Sequence, residues 1–137
     1  NSSGLKVGIT RGTQIPIRWI DQGATQATPM FKVKNRLHSG LIESTIKKHI
    51  NDRTDWRKML KGEAESMDLQ AEKNRVMELV GADLQAMAKE NPDIELTQLE
   101  EETVELVFPV EEYPTKVTSL NFDKTPTVEG ILKGIAR

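Results

Sequence analysis

The sequence predicts an α+β fold: a small mixed or antiparallel sheet with packed helices, then a long acidic helix, then a C-terminal β-meander. Three observations carry this. Apolar residues alternate in short stretches, at Leu5, Val7 and Ile9 and again at Val104, Leu106 and Phe108, the period of a half-buried strand. Between them Leu69, Val76, Val80, Leu84 and Met87 recur at spacings of seven, four, four and three, the stripe of an amphipathic helix. The two periods follow one another over short connections, as they do when helices cover one face of a small sheet.

Leu5 to Thr10 reads as the first strand, with Gly4 as the turn before it. A loop over Arg11 to Gln14 leads to a short helix. Thr13 can cap it, and Pro16 is tolerated in a first turn, where its missing N–H would have no helical partner. Ile17 and Ile20 supply its apolar side, and Gly23 suits a left-handed stop after Gln22. Pro29 to Asn35 reads as a second strand with Met30, Phe31 and Val33 inward. Ser39 is expected to cap a helix from Leu41 to about Ile50, with Leu41, Ile42, Thr45, Ile46 and His49 at helical spacing. Thr54 is expected to cap another, holding Trp56, Met59 and Leu60. The long helix is expected over Glu63 to Glu90, stopped by Asn91-Pro92. Gly81 inside it costs about 1 kcal/mol relative to Ala, so a close packing contact is expected there. Thr97 to Glu100 matches a capping box and predicts one short helical turn. After Glu102 come three expected strands: Val104 to Phe108, Lys116 to Phe122, and Thr127 to Ala136. A turn over Asp123 to Pro126 joins the last two, and Gly130 and Gly134 mark a bulge or a close backbone approach.

With 137 residues, 36% apolar and 29% charged, the chain has the composition of a globular domain. No stretch approaches the roughly 20 apolar residues of a membrane helix, so no membrane partner is expected and a cytoplasmic location is the default. The absence of cysteine excludes disulfides, a thiol nucleophile and Cys-ligated zinc. The first residue is not Met and the last expected strand runs to the terminus, so the chain is expected to be part of a longer protein. The net charge of −2 conceals an asymmetry. Residues 1–62 hold 12 Lys/Arg against 4 Asp/Glu, residues 63–112 hold 3 against 15, and residues 113–137 hold 4 against 2. A basic block joined to an acidic one implies either a surface for an anionic partner or an acidic helix packed against the basic portion. We divide the chain into a basic α/β core over 1–62, an acidic helical segment over 63–102 and a meander over 103–137, which can still form one compact unit.

The order of residues in the basic block resembles the second half of the GIY-YIG nuclease core. Lys6-Val7-Gly8 stands where the YIG triplet would, with Lys6 in place of its tyrosine; Arg18 falls at the family's helix arginine and Glu43 at its helix acid, with Ile46 and His49 following. The strand that would carry the GIY triplet would lie upstream of Asn1. The resemblance implies a nuclease-like core in which Lys6, Arg18 and Glu43 form the catalytic set. Arg18 would contact phosphate and Glu43 would hold a divalent metal. A lone carboxylate with waters and phosphate oxygens suits Mg²⁺ or Mn²⁺ rather than zinc. His49 lies six residues from Glu43, so the two do not share one helical stripe. A narrower resemblance covers nearly the whole chain. Lys6 to Gln22, Arg53 to Leu60 and Tyr113 to Asn121 resemble an uncharacterised bacterial family of domains of unknown function (DUF2797). That resemblance implies a cysteine-rich segment before this chain and one more strand after it, with no activity attached.

Two functions compete. In the first, the chain is a nuclease-derived nucleic-acid-binding module, with metal-dependent phosphodiester cleavage through an altered site. Arg11, Arg18, Lys32, Lys34, Arg36, Lys47 and Lys48 then supply phosphate affinity without sequence information. In the second, it is a non-catalytic interaction or scaffold domain whose acidic helix or meander takes a protein partner. A Ser/His/Asp hydrolase lacks a nucleophile elbow around His38 or His49, and there is no phosphate-binding glycine loop or dinucleotide fingerprint.

Overall fold

A computed structural model describes residues 1, 4–51, 55–62, 67–107 and 110–134. Among them the order is a 3-10 turn (Gly12–Gln14), α1 (Ile17–Asp21), β1 (Gln26–Ala27), β2 (Phe31–Lys32), α2 (Arg36–Lys47), α3 (Trp56–Lys61), α4 (Leu69–Glu90), β3 (Thr97–Gln98) and β4 (Val104–Glu105). The class is α+β, as the alternating periods predict. No helix among the described residues is long and apolar enough to cross a membrane.

The core is the seam between α2 and α4. Ile42 and Ile46 from α2 join Val76, Val80, Leu84 and Met87 from α4, with Ile94 closing one end. Thr45 is buried in the same seam; its hydroxyl donates to the Leu41 carbonyl at 2.8 Å and lies 3.6 Å from Met87 Sδ. Short polar side chains start the helices. Asp68 Oδ1 accepts from the Gln70 and Ala71 N–H groups, so α4 begins at Leu69 rather than Glu63. Asn35 Oδ1 accepts from the His38 N–H at 2.9 Å and starts α2 earlier than Ser39 would. Ser39 lies a turn inside, where its hydroxyl donates back to the Arg36 carbonyl. Asp55 caps α3; the expected cap, Thr54, lies outside the described residues. Thr13 makes no cap, and α1 follows Pro16 without a side-chain bond. Gly23 does stop α1, at φ 67°, with its N–H on the Ile20 carbonyl and the Ala24 N–H on that of Trp19. That pair of bonds is the Schellman arrangement.

Two antiparallel ladders occur among the described residues, and residues around one of them, β2–β3, pack on the seam. β1 pairs with β4 and β2 with β3. Strands of the basic block therefore pair with strands from both later segments. The Leu99 N–H to Met30 carbonyl and the Leu106 N–H to Thr25 carbonyl, both 2.8 Å, extend the ladders by one bond each.

Four expectations are corrected. Leu5–Ile9 is extended, with Leu5, Val7 and Ile9 half-buried and Lys6 and Gly8 exposed, but it joins no ladder. Its alternation reports burial: Leu5 and Val7 pack on the helix seam, while β2 takes its hydrogen bonds from β3. Thr97-Gln98 is a strand, not a helical turn, because pairing with Phe31-Lys32 outweighs the local capping pattern. Gly81 has open space where a Cβ would stand, so no close contact explains it. Of the meander's expected first strand only Val104–Glu105 pairs, as β4, and Phe108 lies outside the described residues; no strand occurs among described residues 110–134. There the chain makes a turn at Asn121, whose carbonyl accepts from the Lys124 and Thr125 N–H groups, and one cross-link from the Glu111 N–H to the Lys133 carbonyl. Leu120, Phe122, Ile131 and Leu132 stay exposed, and an alternating pattern with no face to bury does not set a strand register. The close approach expected at Gly134 is present, since a Cβ there would stand 3.0 Å from Val110 Cβ; Gly130 has open space.

The free space around Gly81 makes Gly81→Ala a stabilising change. Removing the backbone freedom of glycine from this helix interior should add about 1 kcal/mol, seen as a higher urea midpoint at unchanged m-value. A loss of stability would mean that a neighbour occupies that space.

Candidate anion-binding surface and cavity

The residues the sequence selects are distributed over three elements. Lys6 leaves the extended N-terminal segment toward the end of α1, where its Nζ donates to Gln22 Oε1 at 3.3 Å. Gln22 closes the helix that carries Arg18, so the segment holding Lys6 and the helix holding Arg18 are tied together. Arg18 is exposed in the last turn of α1 and makes no side-chain bond among the described residues. A cation there complements the negative end of a helix. Glu43 lies half-buried on α2 and pairs with Lys47 of the same helix at 3.1 Å. A divalent ion at Glu43 would have to displace that ammonium. No group of three His, Asp or Glu able to hold a metal occurs among the described residues. His49 turns to a different partner: its Nε2 lies 2.7 Å from Asp83 Oδ2 on α4.

The remaining cations of the basic block divide in two. Lys34 pairs with Glu95 at 2.8 Å and Lys47 with Glu43. Arg11, Arg18, Lys32, Arg36 and Lys48 are exposed with no acidic partner among the described residues. The acidic helix leaves these charges unmatched: its seam with α2 is apolar, and the described ion pairs from the basic block to the acidic segment are Lys34–Glu95 and His49–Asp83. Lys73 of α4, which is buried, spends its donors on backbone, giving hydrogen bonds to the carbonyls of Pro29 and Leu99.

A cavity of about 550 Å³ lies between α3 and the 110–134 segment. Met59, Leu60, Val110, Tyr113, Ile131 and Leu132 give it an apolar wall, and Lys116, Lys133 and Glu112 give it charge. Two left-handed glycines shape the wall. Gly62 at φ 69° ends α3 with its Cα against the Tyr113 ring, and Gly23 at φ 67° lies against Met59; a Cβ at either would overlap the neighbour. No motif in the sequence marks this cavity, although its wall draws Met59 and Leu60 from one stretch that carries the narrower family resemblance and Tyr113 to Lys116 from another. A shallower groove of about 420 Å³ runs past Gln70, Lys73 and the carboxylates of Glu100, Glu101 and Glu102. Gln70 Nε2 braces it by donating to the Glu101 carbonyl at 3.1 Å.

A family model described as "Protein of unknown function (DUF2797)" matches residues 1–137, and the chain belongs to that family. No curated protein and no solved structure matches it.

Gly62 should not tolerate a side chain. Gly62→Ala places Ala in a left-handed conformation, costing about 1 kcal/mol, and pushes on the Tyr113 ring at a similar further cost of about 1 kcal/mol. In a Tyr113→Ala background only the conformational part should remain. Equal losses in the two backgrounds, measured by urea denaturation, would show that the ring does not rest on Gly62.

Proposed function

We propose that this member of the DUF2797 family binds nucleic acid through the sugar-phosphate backbone, using the basic block of residues 1–62. The observation that carries this reading is that Arg11, Arg18, Lys32, Arg36 and Lys48 are exposed and unmatched by acids among the described residues, in a chain whose overall charge is negative. A chain that used its acidic segment only to neutralise its basic one would pair them. The resemblance of Lys6-Val7-Gly8, Arg18 and Glu43 to the GIY-YIG core supports the same ligand class, because that core acts on phosphodiesters. The partner is therefore DNA or RNA, recognised by charge rather than by base edges. Metal-dependent cleavage is the finer form of the proposal and would depend on Glu43.

Fluorescence anisotropy with labelled duplexes of two unrelated sequences tests binding. Both should bind alike, and log K should fall with log salt at a slope of about −0.9 per phosphate neutralised. Replacing Arg11, Arg18 and Lys32 by Ala should reduce that slope by roughly 3 if each engages one phosphate. Absence of binding at low salt, or a slope untouched by the triple change, would overturn the proposal. Incubation of the same duplexes with Mg²⁺ tests cleavage. A Mg²⁺-dependent cut that survives Glu43→Gln undiminished would remove Glu43 from the site and leave the binding result standing.

A further inference from the structure

We infer that the cavity between α3 and the 110–134 segment is a binding site for a small amphipathic organic anion. Its apolar body would lie along Met59, Leu60, Tyr113 and Ile131, and its acidic group would meet Lys116. Two observations carry the apolar part of this. The volume, about 550 Å³, is that of a small-molecule site, and such sites are lined mostly by apolar groups with a few polar ones that orient the ligand. The apolar lining is left open to solvent: Ile131 is 84% and Leu132 72% exposed, and the Tyr113 ring, backed by Gly62, is 43% exposed. An apolar ligand body would cover surface that the chain itself leaves wet.

The charge of the lining sets the sign of the ligand. Lys133 lies 3.5 Å from Glu111 and 4.0 Å from Glu112, so its charge is met from within the wall. Lys116 has no acidic partner among the described residues. Lys133 is thus committed to Glu111 and Glu112, and Lys116 is the lining cation left to meet an anion beside the apolar wall. A carboxylate, sulfonate or phosphate on a compact hydrophobic body matches both parts. The site is independent of the nucleic-acid surface, since neither Arg11, Arg18 nor Lys32 lines it.

Titration of the whole chain with 8-anilinonaphthalene-1-sulfonate, an aromatic sulfonate, should show one saturable site by fluorescence. Lys116→Gln should weaken that affinity about fivefold, as expected for a partly solvated ion pair. It should leave the affinity for uncharged N-phenyl-1-naphthylamine unchanged. Leu60→Trp, which fills the wall, should weaken both probes, and far-ultraviolet circular dichroism checks that each variant is folded. The Arg11, Arg18 and Lys32 triple Ala variant should bind both probes as the parent does. The inference is overturned if Lys116→Gln leaves the sulfonate affinity unchanged, or if the triple variant loses it instead. If Leu60→Trp does not fold, the comparison of the two probes on Lys116→Gln decides alone.

Discussion

Val80, with no exposed surface, and Ile46, with 1%, sit in the apolar seam between α2 and α4 on which the rest of the structure depends. Each fully buried aliphatic side chain of this kind contributes roughly 1.5–3 kcal/mol. The ladders have no comparable resource. β1, β2, β3 and β4 are two residues each, and an isolated pair of such strands is not stable in water. The β2–β3 ladder has support from the seam: Met30, Phe31 and Val33 around β2, and Leu96 before β3, pack against the buried cluster. Leu5 and Val7 lie on it too, which is why that segment is held extended without a strand to pair with. Helix packing therefore comes first, and both the second ladder and the segment that carries Lys6 rest on it directly.

Lys73 ties the second ladder to the seam. Its side chain emerges from the buried face of α4 and gives hydrogen bonds to the carbonyls of Pro29, just before β2, and Leu99, just after β3. Both acceptors belong to residues that flank the pairing, so one ammonium satisfies two backbone groups that the short ladder leaves over. Lys73 is one of three Lys/Arg in residues 63–112, and its described hydrogen bonds go to backbone carbonyls and not to a carboxylate of that segment. The described ion pairs between the basic block and the acidic segment are Lys34–Glu95 and His49–Asp83, so most of the asymmetry in the sequence is not cancelled by pairing among the described residues.

How much of this could be read from residues alone follows from what each signal measures. The stripe of Leu69, Val76, Val80, Leu84 and Met87 measures burial at helical period; the last four are the buried face of α4, and Leu69, its first residue, is half-buried and outside the core. Of Leu41, Ile42, Thr45, Ile46 and His49, the middle three are buried on α2, Leu41 is half-buried, and His49 lies past the helix end, exposed and bonded to Asp83. Alternation at Leu5, Val7 and Ile9 also measured burial, and it was silent on hydrogen bonding, which depends on segments more than ninety residues away. The capping box at Thr97 to Glu100 is a local preference, and pairing with Phe31-Lys32 overrode it. Helix starts were misplaced by a few residues where two candidate caps stood close together, as with Asn35 and Ser39: both side chains can bond to nearby backbone, and only the fold decides which one caps. Within the site, the tie between Lys6 and the end of α1 and the Glu43–Lys47 pair needed coordinates, although the i, i+4 spacing of the latter was open to view.

The cavity was illegible for a different reason. It is made by backbone conformation at two glycines, not by a run of chemically distinctive side chains. Gly23 reads as a helix stop and serves as one, and Gly62 closes α3 in the same way. Yet the left-handed conformation that ends each helix also removes a Cβ from the path of a neighbour, Met59 in one case and the Tyr113 ring in the other. Helix termination and cavity shape are thus consequences of the same two residues. A side chain at either position would disturb both the end of its helix and the wall it faces. This coupling lets α3, a helix of six residues with no buried side chain of its own, serve as one wall of the cavity: a left-handed glycine closes it, and the contact of that glycine with Tyr113 joins it to the 110–134 segment.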